Sequence, residues 1–168
     1  MKLAARLLTL MALALLTATP TPAQDIFGSS AVGGPLWGPH RETLRLNAEA
    51  AAAKYNYCPT GGCVVRLESI DLKPAQARRG HDIVLTTTYT ILTPEKVAIP
   101  VTLSREIFFQ GKSLGKVKSI DTRNHNGTWT HHITFSLPKE SPSGIYSLVT
   151  KVSTGYGSDL KKLDFLVE

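Results

Sequence analysis

From Val64 onward, apolar side chains recur at every second position in short runs, and that period commits the chain to strands. Successive side chains of a strand point to opposite faces, so alternation builds one buried face and one wet face. Ile83, Leu85, Thr87, Tyr89 and Ile91 form one inward stripe. Trp129, His131, Ile133, Phe135 and Leu137 form a second, with Thr130, His132, Thr134 and Ser136 opposite. Leu163, Phe165 and Val167 form a third, with Lys162 and Asp164 outside. The pattern predicts seven strands, over residues 64–72, 82–92, 97–110, 113–120, 128–137, 144–153 and 159–167. Gly, Pro and Asn cluster between these runs, where turns need them. Regularly spaced turns and one-sided stripes predict an all-β, seven-stranded antiparallel sandwich over residues 64–168. A segment of that length buries roughly two thirds of its unfolded surface. It needs no cofactor to complete a core, and none is expected.

The residues before Val64 follow other rules. Lys2 and Arg6 precede an apolar run over residues 7–16, and Thr21, Pro22 and Ala23 follow it. This order predicts a signal peptide over residues 1–23, cleaved before Gln24, and hence a periplasmic or secreted protein. The apolar run is too short for a bilayer core of about 30 Å, so no stable membrane span is expected. Residues 24–63 are expected to hold a flexible lead-in, one short helix and a cysteine loop. The lead-in, rich in Gly and Pro, carries Trp37 as a docking residue. The helix is expected over residues 41–55, where Ala48, Ala50, Ala51, Ala52 and Ala53 are strong helix formers. Cys58 and Cys63 flank Pro59, Thr60, Gly61 and Gly62. In an exported chain such a pair is expected to form a local disulfide, with Pro and Gly turning the chain back.

The search for chemistry is mostly exclusionary. The net charge is +6, but the Lys and Arg residues are spread with no run longer than two, which argues against nucleic acid. Gly111, Lys112 and Ser113 mimic the end of a phosphate loop, yet Glu106 stands where that loop needs Gly. His131 and His132 are adjacent on a strand and point to opposite faces, so they do not form a shared metal site. The carboxylates form no local cluster, and no nucleophile or zinc motif is present. No catalytic or metal-binding residue is assigned, and the chain is not expected to be an enzyme. Asn126, Gly127 and Thr128 have the form of a glycosylation sequon, but Asn-Gly is also a strong hairpin signal, and the turn is the expected reading. Pro100 is expected on an edge strand, where no ladder donor is required.

Pro142, Ser143, Gly144, Ile145, Tyr146, Ser147 and Leu148 resemble the approach to strand F in immunoglobulin and fibronectin-like sandwiches. The resemblance spans residues 64–168 and extends to Leu72-Lys73-Pro74 upstream and Phe165-Leu166-Val167 at the close. It implies an immunoglobulin-like fold of the bacterial exported type, with Tyr146 as a corner tyrosine and Leu148 in place of the family's second Cys. The chain departs from antibody domains in two respects. Both cysteines precede the sandwich, and Trp129 falls on a late strand.

Such sandwiches act through faces, edges and end loops. The expectation is a non-catalytic envelope binding or assembly module working through protein–protein contacts. Its partner would be another envelope protein or a cell-surface polymer. Arg78 and Arg79 in the loop over residues 73–81, Tyr156 in the turn over residues 155–157, and Trp37 are the candidate contact residues. Carbohydrate or cell-wall binding is the alternative and requires Trp37, Tyr156 or Phe108 grouped on one exposed face. A protease-inhibitor-like module is a third and requires a rigid protruding loop.

Overall fold

The computed structural model describes residues 33–115 and 117–168. The expected signal peptide and the start of the lead-in lie outside the described residues. Among the described residues, no helix is long and apolar enough to cross a membrane.

The fold is all-β, with two sheets and one helix. In chain order the elements are β1 (Leu36–Leu46), α1 (Ala48–Tyr55), β2 (Val64–Lys73), β3 (Gln76–Ala77), β4 (Asp82–Leu92), β5 (Ile99–Phe109), β6 (Lys112–Ser113), β7 (Lys118–Asn124), β8 (Gly127–Ser136), β9 (Gly144–Thr154) and β10 (Gly157–Val167). The first sheet has the order β1-β8-β4-β2. The second runs β3-β10-β9-β5-β6, with β7 also paired to β5. All pairings are antiparallel except the short contact of β3 with the end of β10.

The period-two stripes meet between the sheets. Ile83, Leu85 and Ile91 of β4, Ile133 and Phe135 of β8, Leu103 and Ile107 of β5, and Tyr146, Leu148 and Val152 of β9 are all buried. One end of this core is aromatic. Trp37 lies 5.1 Å from Phe135, Phe109 4.6 Å from Tyr146, and Tyr146 5.8 Å from Phe165, centroid to centroid. The buried Tyr146 hydroxyl donates to the Pro142 carbonyl at 2.6 Å, tying the start of β9 to the turn before it.

Several local expectations are corrected. Residues 36–46 are neither lead-in nor helix. They form a strand paired with β8, from Leu36 opposite Ser136 to Leu46 opposite Thr128. The first sheet therefore recruits its outermost strand from before Val64. The helix begins only at Ala48, because Asn47 caps it by accepting the Ala50 N–H at 2.9 Å. It ends at Asn56 in the left-handed region. The strand expected over residues 113–120 is two separate pieces, β6 and β7, both on β5. Gln110 and Gly111 both take positive φ, the requirement of a tight hairpin turn, and so close β5 onto β6. The Asn-Gly step is a turn but not a hairpin, since β7 belongs to the second sheet and β8 to the first. Gly127 is needed there, because a Cβ would stand 2.6 Å from the Leu46 carbonyl oxygen. β5 is an interior strand, so Pro100 is not on an edge. It is tolerated because pairing with β9 begins one residue later, at Val101.

Cys58 and Cys63 are exposed and unbonded. Residues Pro59–Gly61 form a single 3-10 turn, and the Cys58 sulfur lies 3.1 Å from the Thr60 hydroxyl. This contact within the turn engages the Cys58 sulfur, and no bridge joins it to Cys63 in the structure. It also holds the exposed Cys58 thiol below its ordinary pKa.

Candidate functional site: a polar layer inside the sandwich and a basic rim at its end

Four inward stripes are each interrupted once by a polar residue, and the interruptions lie at one level. They are Thr87 on β4, His131 on β8, Arg105 on β5 and Thr150 on β9. Thr87 pairs directly with His131, and Arg105 with Thr150. The layer separates the aromatic end of the core from an aliphatic end built on Leu67, Ile91, Val101, Leu103 and Val152.

Arg105 has no exposed surface. Its Nη2 donates to the Thr87 hydroxyl at 3.3 Å and lies 3.1 Å from His131 Nδ1. A guanidinium only donates, so Nδ1 accepts and the His131 proton sits on Nε2. Burial, then the charge of Arg105, then His40 and His132, push the His131 pKa down to about 3, so the ring is neutral. Burial also lowers Arg105, to about 10, against the opposing pull of Tyr89 and Glu42. The guanidinium remains charged at neutral pH. The exposed His40 stacks on His131 with centroids 5.2 Å apart and rings at 15°. It stands beside a register shift in β1 between Trp37 and His40.

On the open side of the layer, Glu42 of β1 reaches across to the second sheet. It accepts from the Tyr89 hydroxyl at 2.5 Å, from Asn124 Nδ2 at 2.9 Å and from the Thr122 hydroxyl at 3.3 Å. Asn124 Nδ2 also donates to the Tyr89 oxygen at 2.7 Å. Burial, reinforced by the Glu42 carboxylate, pushes the Tyr89 hydroxyl far above its ordinary pKa. This cluster fastens edge strand β1 of one sheet to edge strand β7 of the other.

A separate carboxylate, Glu68, fixes α1 to the outer face of the first sheet. It takes Lys54 Nζ at 2.6 Å, the Tyr55 hydroxyl at 2.9 Å and the Thr90 hydroxyl at 2.5 Å. Burial raises its pKa, but these hydrogen bonds from Lys54, Thr90 and Tyr55 outweigh it and leave the carboxyl below the usual range.

The residues singled out from sequence fall in different places. Arg78 and Arg79 line a concavity of about 530 Å³ at one end of the sandwich, together with His81, Lys139 and Glu168. Arg78 and His81 are shared with an adjoining hollow of about 630 Å³ beside Pro74, Ala75 and Gln76. The rim is held from beneath. Arg79 N–H donates to the Glu168 carbonyl at 3.2 Å, Arg79 Nη1 to the Ser141 carbonyl at 3.3 Å, and Gly80 N–H to the Leu137 carbonyl at 2.8 Å. Gly80 has a φ of +71°, and a Cβ there would strike the Lys139 stem at 2.7 Å. Tyr156 stands in the β9–β10 turn, 44% exposed, with its hydroxyl donating to Glu95 at 3.0 Å. Trp37 is half-buried against Phe135 and serves the core. Phe108 sits on β5 opposite Ser147. Trp37, Tyr156 and Phe108 thus stand on different elements and build no common platform. Asn126 Nδ2, the atom a glycan would take, donates to the carbonyls of Thr93 at 2.6 Å and Glu95 at 3.2 Å.

Sequence reasoning missed Arg105, Glu42, Asn124, Thr150 and Glu68. The first clue was available: a charged residue between Leu103 and Ile107 occupies an inward position of a clean alternation.

No protein-family model and no curated protein matches the sequence. Among solved structures the chain is similar to a β-glucosidase from Listeria innocua, at 11% identity and a TM-score of 0.45, over 62% of this chain and 16% of that one. It is also similar to the alkylpurine DNA glycosylase AlkC of Pseudomonas fluorescens, at 15% identity and a TM-score of 0.45, over 62% of this chain and 30% of that one. The sporulation control protein Spo0M of Bacillus subtilis gives 18% identity and a TM-score of 0.36, over 64% of this chain and 50% of that one. The chain therefore spans half or less of the length of each of these proteins.

Proposed function

We propose that the chain is an exported, non-catalytic binding or assembly module with an immunoglobulin-like sandwich, and that its basic end loops engage an acidic segment of another envelope protein. The strand order supports the fold. β2-β4-β8 in one sheet and β10-β9-β5 in the other follow the A-B-E and G-F-C order of such domains, with β7 added beside C and β1 beside E. The N-terminal charge and apolar pattern supports export.

The observation that carries the functional reading is the rim of Arg78, Arg79, His81 and Lys139 around one concavity. The backbone at Arg79 and Gly80 is pinned to Glu168 and Leu137, so the loop carrying Arg78 and Arg79 is fixed before any partner arrives, with Glu168 the one acid among the lining residues. Pre-organised positive charge speeds encounter with an acidic surface and selects against basic ones. The alternative through stacked aromatics lacks the grouped rings it needs.

The reading is tested by cross-linking capture from native envelope with the mature chain and with an Arg78→Glu/Lys139→Glu variant. One partner recovered by the parent, weakened by salt and lost by the variant, supports it. Equal recovery by both proteins ends it.

A further inference from the structure

The polar layer contains more donors than the protein satisfies. Arg105 Nε and Nη1, His131 Nε2 and the Thr150 hydroxyl are buried without a hydrogen-bond partner. With His131 Nδ1 accepting from Arg105, the free positions on both residues carry N–H groups. Thr150 can donate as well, so the whole unmet set can donate.

The charge of Arg105 likewise lacks a direct ion pair. Among the described residues the ion pairs are Lys54 with Glu68 and Lys162 with Asp164, and neither involves Arg105. Glu42 attracts Arg105 through space, but its oxygens hydrogen-bond Tyr89, Asn124 and Thr122 rather than the guanidinium. A buried charge is best tolerated when a direct partner meets its hydrogen bonds as well as its charge. Leu103, Ile107, Leu148 and Val152 beside the layer are each at most 1% exposed, which closes it to bulky solutes. A guest must therefore be small, must accept hydrogen bonds and is favoured if negative.

We propose that the N–H groups of Arg105 seat a small monovalent anion of the halide class inside the sandwich, in the layer shared with His131 and Thr150. The site is independent of the basic rim, and the proposal stands or falls separately from the partner-binding reading.

Bromide is the probe. The mature protein is melted in sodium bromide and in sodium gluconate at equal ionic strength, because gluconate is too bulky to enter. A one-site ligand stabilises the folded state saturably, so Tm is expected to rise with bromide by several degrees above gluconate. Arg105→Met, which keeps the bulk and removes the donors, is expected to lose that difference. Thr150→Val, a milder change, is expected to weaken it while leaving Arg105 in place. The parent protein crystallised with bromide is expected to give an anomalous peak within about 3.5 Å of an Arg105 nitrogen. That readout does not depend on any variant folding. Equal melting in the two salts overturns the proposal. So does a bromide crystal with no peak there, whether water fills the layer or Arg105 meets Glu42 directly.

Discussion

The aromatic end of the core and the polar layer beside it are equally buried, yet they are filled by opposite means. Phe135, Tyr146 and Phe165 interlock edge to face and side to side, with Trp37 and Phe109 at the margin. Each ring removes a large apolar area from water, and of Phe135, Tyr146 and Phe165 only Tyr146 carries a polar group, its hydroxyl, that needs a partner. One turn of side chains away, Thr87, Arg105, His131 and Thr150 occupy the same kind of inward position with groups that lose hydration on burial. The first region supplies stability through shape. The second consumes some of it and in return specifies which strands lie opposite one another, because only the observed register brings Arg105 to Thr87 and His131.

The largest test of this contrast is at Phe135. Phe135→Ala removes the ring that Trp37 and Phe165 both contact and is expected to cost about 3–5 kcal/mol in urea unfolding. A loss under about 1 kcal/mol would show that the aromatic end does not carry the fold.

The polar layer answers to pH instead. His131 is neutral in the folded chain down to about pH 3, whereas the unfolded imidazole titrates near its ordinary value of 6.5. Between those values the unfolded state binds the extra proton, so stability is full above about 6.5 and falls as pH drops toward about 3. The loss from this group is on the order of 2–3 kcal/mol once solvent screening is allowed for. His131→Gln should flatten that limb of the pH–stability curve. An unchanged slope in the variant would remove His131 as its source.

Tyr146→Phe probes the hydrogen bond that the Tyr146 hydroxyl makes at the aromatic end. It keeps the ring and deletes the bond to the Pro142 carbonyl, with an expected loss of about 1–2 kcal/mol. If it costs as much as Phe135→Ala, the corner bond rather than ring packing dominates that end. The smallest expected effect lies outside both regions. Asn47→Ala removes the cap of α1 and should cost about 1 kcal/mol, with the inter-sheet core unchanged as judged by the tertiary near-ultraviolet spectrum.

How much was legible varied with the type of signal. β4 was readable to its ends at Asp82 and Leu92, because five alternating inward residues and flanking turn chemistry agree there. β1 was not readable, because only the exposed edge of β8 makes residues 36–46 a strand. On its own this stretch alternates weakly, and it contains Gly38 and Pro39. The alanines that follow draw the expected helix back only to residue 41, whereas Asn47 marks the true start. The basic rim was half legible. Arg78 and Arg79 are adjacent in sequence, while Lys139 joins them only because the β8–β9 connection crosses under Gly80. The polar layer was legible only as isolated exceptions. His131 and Thr87 each look like one tolerated polar residue in a stripe, and Arg105 like one of many scattered cations.

The amino-acid order by itself determined that this chain builds antiparallel strands with one dry face, since side-chain direction along a strand repeats every two residues whatever lies opposite. It also determined the helix start, the tight turns and the tyrosine at the corner, which depend on neighbours within a few positions. Tertiary structure alone decided that Glu42 would reach Asn124, that Arg105 would meet His131, and that four polar residues from four strands would share one level. Those contacts join residues 18 to 82 positions apart. Their geometry depends on register and on which sheet edge each strand finds, and no local pattern in the chain encodes either.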